Sequence, residues 1–209
     1  MILYDYHAAP SPRRVRIFLA EKGIDVETKQ IDLAAKEQLG DDFREINPRC
    51  TVPALALEDG VVLCDSMAII RYFEELRPEP PMLGRDPLER ALVAEWTARC
   101  EQEGFMAVAE ALRNKARGFT DAALTGPRSY AQVPELAERG RERTRDFLTT
   151  LDERLGQSAF LAGDSFTAAD ITAFICVEFA AWVKVFPGEE LTHLLAWYEA
   201  VKARPSASA

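Results

Sequence analysis

A proline-rich segment near residue 80 divides the chain into two parts of different character. The stretch RPEPP, residues 77–81, has three prolines within four positions, which is incompatible with a helix or a central strand. Before it, short β-branched and aromatic runs alternate with helical patterns, whereas apolar residues after it recur at helical spacing. The sequence predicts an α/β domain over residues 1–76, a linker over 77–87 and an all-helical domain over 88–209.

The α/β part reads in the order strand, helix, strand, an unpatterned segment, then two strands and a helix. Its first helix is expected to have Ser11 as N-cap and Pro12 as first helical residue, and to end at Gly23. Because helical crossovers join parallel strands and tight turns join antiparallel ones, the sheet should combine a parallel pair with a hairpin. The four strands are predicted at Ile2–Tyr6, Val26–Leu33, Thr51–Leu57 and Val61–Leu63.

The helical part contains one strong local signal. Thr167 is followed three residues later by Asp170, the spacing of a capping box, and the residues after it are apolar almost all round. This pattern predicts a buried central helix. A leucine repeat over Leu148–Leu155 predicts an amphipathic helix before it, and a last helix is expected over about residues 189–204.

Composition narrows the class of protein. The chain has 25 basic and 34 acidic residues, and this net charge of −9 argues against a nucleic-acid binder, because phosphate affinity requires surplus Lys and Arg. The longest apolar-rich run, Ile171–Val183, is too short to span a bilayer, so no membrane partner is expected. With no signal-type segment before the first strand, a cytoplasmic location is expected. Four scattered cysteines without CxxC spacing indicate neither a metal site nor a disulfide framework.

Five groups of short strings occur in order along the chain. They are Leu3–Tyr4 leading to Arg13–Ile17, Ala20–Gly23, Ile46–Pro48 with Thr51–Leu55, Leu63–Tyr72 and Ala162–Ile171. Together they resemble the glutathione transferase superfamily over essentially the whole chain. The resemblance implies a thioredoxin-like N-terminal domain that binds glutathione as co-substrate, followed by an all-helical domain on the electrophile-binding side. It further implies conjugation of the glutathione thiolate to a small hydrophobic electrophile, a role in detoxification, and a homodimer.

The resemblance assigns glutathione contacts in the first domain. Thr51-Val52-Pro53 resembles the family's Val-Pro corner, where a cis peptide lets the Val52 backbone pair with the cysteinyl unit; a trans proline opening an edge strand is the alternative. Asp65-Ser66 resembles the acid–serine pair that receives the γ-glutamyl end, and the same residues can cap a helix. Gln38 lies where many members carry His or Gln near the glycyl carboxylate, with a solvated loop residue as the alternative.

The residue that activates the thiol in most family members is missing. Ala9 stands where they carry Ser or Cys, and the Ala9–Pro12 stretch resembles a bacterial and fungal subgroup whose first-helix N-terminus and an ordered water are thought to hold the thiolate. Three side chains are candidate catalytic groups: Ser11, unless it serves as the cap; Arg13, unless it is solvated or paired; and Arg113, at a polar position of the second domain's long first helix. Residues 6–20 also carry three arginines and no acid, which predicts a local positive field.

The side chains expected to contact the electrophile are Phe105, Met106, Ala109 and Tyr130, although residues at such helical spacing are more often core. Cys50 replaces a common glycine before Thr51; it could be reactive, but a buried packing thiol is favoured. Two other functions stay open. One is a glutathione- or ligand-binding protein without turnover, and the other is a glutathione-dependent ether-cleaving enzyme of aromatic catabolism.

Overall fold

The computed structural model describes all of residues 1–209 and contains one four-stranded mixed sheet. Strands β1 (Ile2–Asp5) and β2 (Glu27–Gln30) run parallel, and β3 (Ala54–Ala56) and β4 (Val62–Cys64) form an antiparallel pair whose first strand also lies antiparallel to β1. The order across the sheet is β2-β1-β3-β4. The predicted combination of a parallel pair with a hairpin is confirmed.

The strands are shorter than the sequence predicted. The predicted strand Val26–Leu33 is extended only over its exposed middle, Glu27–Gln30. The predicted strand Thr51–Leu57 pairs only from residue 54 onward, because Pro53 has no N–H to contribute to a ladder. The fourth strand lies one residue later than the prediction of Val61–Leu63.

Helix α1 (Pro10–Lys22) begins two residues earlier than predicted. Ala9 is its N-cap, and the predicted cap Ser11 lies inside the first turn without a capping hydrogen bond. The earlier proline starts the helix because Pro10 takes the first helical position, where a fixed φ suits the helix and an N–H would have no intrahelical partner. The end at Gly23 is confirmed, with this residue in the left-handed conformation at φ 60°.

Two further helices complete the α/β part. The unpatterned segment contains α2 (Asp41–Ile46), which has no side-chain cap and is held by Phe43, whose ring lies 5.7 Å from that of Tyr4. Helix α3 (Ser66–Leu76) is capped by Asp65, as the sequence predicted, through a hydrogen bond from the Met67 N–H.

The buried Lys22 at the end of α1 holds the start of the proline-rich segment. Its ammonium donates to the carbonyl oxygens of Arg77, Pro78 and Pro80, at 2.8, 3.2 and 2.5 Å, and pairs with the Glu74 carboxylate. These acceptors replace the water that a buried cation would otherwise lose. The chain therefore stays packed against the α/β part as far as Pro80.

The helical part has five main helices. A π-helical turn, Cys100–Phe105, joins the first two into one continuous helix, and at its Gly104 a Cβ would collide with the side chains of Phe147 and Cys176. Shorter turns precede and follow the last three helices, and the final helix is shorter than the predicted 189–204. The helices are α4 (Pro87–Arg99), α5 (Met106–Arg113), α6 (Pro134–Leu155), α7 (Ala168–Ala180) and α8 (Thr192–Lys202).

Helix α7 is the buried central helix that the sequence predicted, and its capping box is present. The Asp170 carboxylate accepts hydrogen bonds from the Leu161 N–H, from the N–H and hydroxyl of Thr167, and from the Trp197 indole, at 3.0 to 3.3 Å. Burial raises the pKa of Asp170 to about 6, against the lowering effect of these donors. One side chain thus joins the loop before α7, the start of α7 and helix α8.

The chain divides into two compact units. The first comprises Met1–Pro80 together with Leu124–Arg128 and Ala209, and the second comprises Pro81–Ala123 and Ser129–Ser208. None of the helices combines the length and apolar character needed to cross a lipid bilayer. No cluster of three or more His, Cys, Asp or Glu side chains is placed to hold a metal ion.

Candidate functional site

The register of the sheet brings three chain segments together at one end of the strands. Tyr4 pairs with Ala54, and Ala54 pairs with Cys64, in the last row that β1, β3 and β4 share, while Asp5 continues β1 by one residue and pairs with Gln30 of β2. The next residues outward are the end of β1, Pro53 before β3, and Asp65 after β4. The β1–α1 loop, the Val-Pro corner and the acid–serine pair therefore lie together at one end of the strands, although they are distant in sequence.

The start of α1 offers few hydrogen-bond donors. Pro10 and Pro12 have no N–H, and the Arg13 N–H reaches back to the Ala9 carbonyl at 3.4 Å. The N–H of Ala9 itself donates to the Tyr6 carbonyl at 2.9 Å. In the first four helical residues this leaves the N–H and the hydroxyl of Ser11 as donors without a partner inside the chain. An anion at this helix start would meet a serine and the positive end of the helix.

The acid–serine pair begins α3 in an unusual backbone conformation. Asp65 has φ 94° and ψ 135°, a region that side-chain-bearing residues rarely adopt and that costs about 1–3 kcal/mol. Its Oδ1 accepts a hydrogen bond from the Met67 N–H at 3.2 Å, while the side chain stays exposed. The buried Ser66 donates its hydroxyl to the Ser11 carbonyl at 2.8 Å. Strain of this kind is concentrated at ligand sites, where the conformation itself is needed.

The Val-Pro corner presents an open stretch of backbone. The Val52–Pro53 bond is cis, as the resemblance implied. Asn47 holds the corner through its amide, which donates to the Thr51 carbonyl at 2.7 Å. The Val52 N–H and carbonyl make no hydrogen bond within the chain and can pair with an extended peptide. Cys50 is buried with φ 54°, which accounts for the glycine common at this position and favours a packing role for the thiol.

Gln38 and Arg49 add polar groups to the first unit. Gln38 lies on the 3-10 turn Glu37–Leu39, and its Oε1 is a buried acceptor without a hydrogen-bond partner in the chain. The sequence reasoning missed Arg49, which has no ion-pair partner and whose positive charge acts on the neighbouring Cys64 thiol. Burial nevertheless raises the pKa of Cys64. The one available signal was a basic residue inside the string NPRCTVP.

The arginines near α1 do not form the simple positive field that the sequence predicted. Arg16 is neutralised by the buried carboxylate of Asp5, its Nη1 lying 2.8 and 3.0 Å from the two oxygens. Arg14 is buried, and the Arg13 Nε donates to a backbone oxygen of Ala209 at 3.3 Å. The prediction failed because the carboxylate that pairs with Arg16 lies before the acid-free segment, at the end of β1.

Arg113 is engaged in holding a loop of its own unit. Its guanidinium donates to the carbonyl oxygens of Ala122 and Ala123, at 2.7 and 3.2 Å, and lies 4.5 Å from the Phe119 ring centre. Burial lowers its pKa. The same loop is closed by Tyr130, whose backbone pairs with residues 121 and 123.

The candidate electrophile contacts are divided between this loop, the π-helical turn and helix α5. The ring of Phe105 lies 5.8 Å from that of Phe179, and both are followed by exposed apolar side chains, Met106 on α5 and Trp182 beyond α7. Ala109 is partly buried one turn further along α5, and the Tyr130 side chain is exposed. These residues offer apolar surface rather than a polar constellation.

Comparison with known protein families decides the identity of the fold. Residues 9–76 match the glutathione S-transferase N-terminal domain, and residues 110–205 match the glutathione S-transferase C-terminal domain. The chain belongs to the glutathione S-transferase family. The resemblance, the fold class and the assignment as a glutathione transferase enzyme are therefore confirmed.

Among the relatives of this transferase, some align with the whole chain and others with less than half of it. Glutathione S-transferase 2 of Saccharomyces cerevisiae is 35% identical over 209 residues, covering 99% of this chain and 87% of the relative. The mouse maleylacetoacetate isomerase is 45% identical over 94 residues, covering 44% of this chain and 43% of that protein. Among solved structures, a glutathione S-transferase domain-containing protein of Marinobacter aquaeolei VT8 has a TM-score of 0.90 at 38% identity, covering 99% of both chains.

Proposed function

We propose that this transferase binds glutathione at the end of the strands where the β1–α1 loop, the Val-Pro corner and the acid–serine pair meet. The cysteinyl unit would pair with the open backbone of Val52, beside Thr51 and Pro53. The γ-glutamyl ammonium would meet the exposed Asp65 carboxylate, and its carboxylate would meet the Ser66 N–H at the start of α3. Gln38 would contact the glycyl end, where a peptide N–H can satisfy its unpartnered Oε1.

Ser11 is the group that stabilises the sulfur in this proposal. It takes the place of the missing hydroxyl at Ala9, because its N–H and Oγ are the unpartnered donors of the α1 start. Arg13 contributes positive charge from two residues further along α1 but binds Ala209. Arg113 is proposed to act only by shaping the loop that carries Tyr130, because its guanidinium already donates to two carbonyls.

The proposed reaction is conjugation of glutathione to a small hydrophobic electrophile. The S–H proton passes to solvent, the sulfur lone pair forms a bond to the electrophilic carbon, and the displaced electron pair leaves with the leaving group. Phe105, Met106, Ala109 and Tyr130 supply apolar surface suited to such a substrate. Thiolate stabilisation and proximity would provide most of the rate enhancement.

The family resemblance also supports three broader proposals. The protein would act as a homodimer, would be located in the cytoplasm, and would serve detoxification of reactive electrophiles. A second candidate function, glutathione binding without turnover, is supported by one observation: Ala9 cannot donate a hydrogen bond to sulfur.

The unpartnered donors of Ser11 carry the proposal, and a single variant series tests it. Bound glutathione is followed by its ultraviolet thiolate band, and turnover with chlorodinitrobenzene. Ser11→Ala should lower the thiolate fraction and kcat by about tenfold, since a hydrogen bond to a charged group is worth about 1.5–3 kcal/mol. Ser165→Ala, at an exposed serine of the other unit, is the matched control. Wild-type protein that binds glutathione without a thiolate band would favour the non-catalytic alternative.

A further inference from the structure

The backbone of His7, in the loop between β1 and α1, is part of a closed ring of hydrogen bonds. The His7 N–H donates to Gln30 Oε1 at 2.9 Å, and the His7 carbonyl accepts from Arg16 Nη2 at 2.9 Å. Gln30 Nε2 and Arg16 Nη1 both donate to the Asp5 carboxylate, each at 2.8 Å. These hydrogen bonds, which we call the Asp5 network, join four residues and connect the ends of β1 and β2 to the second turn of α1.

The geometry of the Asp5 network suits the arginine and the glutamine that close it. A guanidinium can place one nitrogen on a carboxylate and another on a carbonyl, which an ammonium cannot do with the same rigidity. A primary amide can donate from one end and accept at the other, which matches the separate demands of Asp5 and His7. Asp5 is only 1% exposed, so its charge depends on both donors.

His7, the backbone member of the Asp5 network, lies two residues before the N-cap of α1. The intervening turn is closed by the Ala9 N–H on the Tyr6 carbonyl, so fixing His7 also fixes Ala9. The start of α1 is also held by the Ser66 hydroxyl, which donates to the Ser11 carbonyl at 2.8 Å, whereas Ala9 provides no side-chain cap. That bond acts on the peptide group after Ser11. The Ser11 N–H belongs to the peptide group before it, so its orientation depends on the loop that leads into the helix.

We propose that Asp5, Arg16 and Gln30 are positioning residues that aim the Ser11 donors at the glutathione sulfur. The inference rests on the proposed function, since it assumes that the sulfur lies at the start of α1. It assigns no direct contact with substrate to the three side chains. Their effect is transmitted through the backbone of His7 and Ala9, and it accounts for the pairing of Arg16 with a carboxylate instead of with the thiolate.

Two variants each break this set of hydrogen bonds at one residue. Arg16→Lys keeps the ion pair with Asp5 but loses the second contact, to the His7 carbonyl. Gln30→Ala removes both hydrogen bonds of the side-chain amide. Gln30 is an exposed residue of β2, where the fold tolerates substitution. Arg85→Lys is the matched control, because Arg85 forms an exposed ion pair with Glu89 within the other unit. Asp5→Asn is less suitable, since it leaves the Arg16 charge uncompensated.

The experiment measures glutathione affinity, the thiolate band of bound glutathione at neutral pH, and kcat with chlorodinitrobenzene. Arg16→Lys and Gln30→Ala should each lower the thiolate fraction and kcat by about tenfold, which is equivalent to a rise of about one unit in the pKa of the bound thiol. The KM for glutathione should stay within about threefold, because Val52, Asp65 and Ser66 are untouched. Hydrogen exchange of the Ala9 amide should become faster in both variants.

Several outcomes would contradict the inference. A normal thiolate fraction in variants that fold and bind glutathione would mean that the Asp5 network has a purely structural role. A rise in KM with unchanged kcat would place its effect on binding instead of on the sulfur. Wild-type protein that binds glutathione without ionising it would overturn the proposed function and this inference together, and is recognised before any variant is examined.

Discussion

The hydroxyl of Ser66 donates a hydrogen bond of 2.8 Å to the carbonyl oxygen of Ser11. This bond joins the residue proposed to receive the γ-glutamyl carboxylate to the residue proposed to hold the sulfur. Because Ser66 uses its hydroxyl proton inside the protein, its N–H remains as the donor for the ligand. Both ends of the proposed glutathione site are thus positioned by one contact between the starts of α3 and α1.

Replacing Ser66 should disturb stability and ligand binding together. Ser66→Ala leaves the Ser11 carbonyl without its partner and should lower the free energy of unfolding by about 1–2 kcal/mol. The dissociation constant for glutathione should rise by about tenfold, equivalent to 1.4 kcal/mol. Urea denaturation and calorimetric titration measure the two effects, with Ser165→Ala as control. Unchanged affinity in a folded Ser66→Ala protein would remove Ser66 from the site.

The strained backbone at Asp65 predicts a trade between stability and affinity. Asp65→Gly should raise the free energy of unfolding by about 1 kcal/mol, because glycine adopts positive φ freely and loses only a few tenths of a kcal/mol as a cap. The same change should greatly weaken glutathione binding by removing the carboxylate. Asp65→Asn is the companion variant, since it keeps a capping side chain and loses only the charge. Full glutathione affinity in Asp65→Gly would contradict the assignment of Asp65.

A serine at position 9 should be tolerated and should favour activity. The backbone of Ala9 already has the extended N-cap conformation, so a serine side chain can replace the methyl group here without a change in φ and ψ. Its hydroxyl would add a donor to the glutathione sulfur beside those of Ser11. Turnover with chlorodinitrobenzene should be equal to wild type or higher. A strong loss of activity in a stable Ala9→Ser protein would indicate that the sulfur lies elsewhere.

Burial of Asp170 predicts a stability that falls as pH rises. Its pKa is about 6 in the folded chain against 3.8 as the reference, so the folded state binds the proton more tightly than the unfolded state does. The contribution is full below the reference pKa and is lost as pH rises toward and through 6. Asp170→Asn does not titrate and removes this dependence.

The difference in unfolding free energy between wild type and Asp170→Asn should shrink by about 2 kcal/mol between about pH 4.5 and about pH 7. Urea denaturation at a series of pH values gives this difference directly, and the shared background of other titrating groups cancels. A difference that is independent of pH would mean that Asp170 has the same pKa in both states.

Local sequence signals predicted the features that depend on a few neighbouring residues. Gly23 at the end of α1, the Asp65 cap and the capping box at Thr167 are of this kind, because each needs only one turn of chain. Helix α2 escaped detection for the complementary reason: it has six residues and no capping side chain, and its anchor Phe43 packs on a distant strand.

The partners of charged side chains could not be predicted from the sequence. Arg16 was expected to contribute to a positive field and Arg113 to be a candidate catalytic group. Instead, Arg16 meets a carboxylate eleven residues earlier, and Arg113 meets backbone carbonyls of a later loop. Such pairings depend on how the loops close in three dimensions. The candidate glutathione residues were more accessible to sequence reasoning, since their backbone conformations are tied to short strings of residues.

The π-helical turn at Cys100–Phe105 changes how related sequences should be compared with this one. A wider turn accommodates one extra residue, and one residue corresponds to about 100° of rotation in an α-helix. Everything beyond Gly104 is therefore rotated relative to a helical wheel drawn from α4, and Phe105, Met106 and Ala109 face a direction that such a wheel would assign to other positions. A relative with a larger residue than glycine here cannot make the same close contact with the side chains of its α6 and α7.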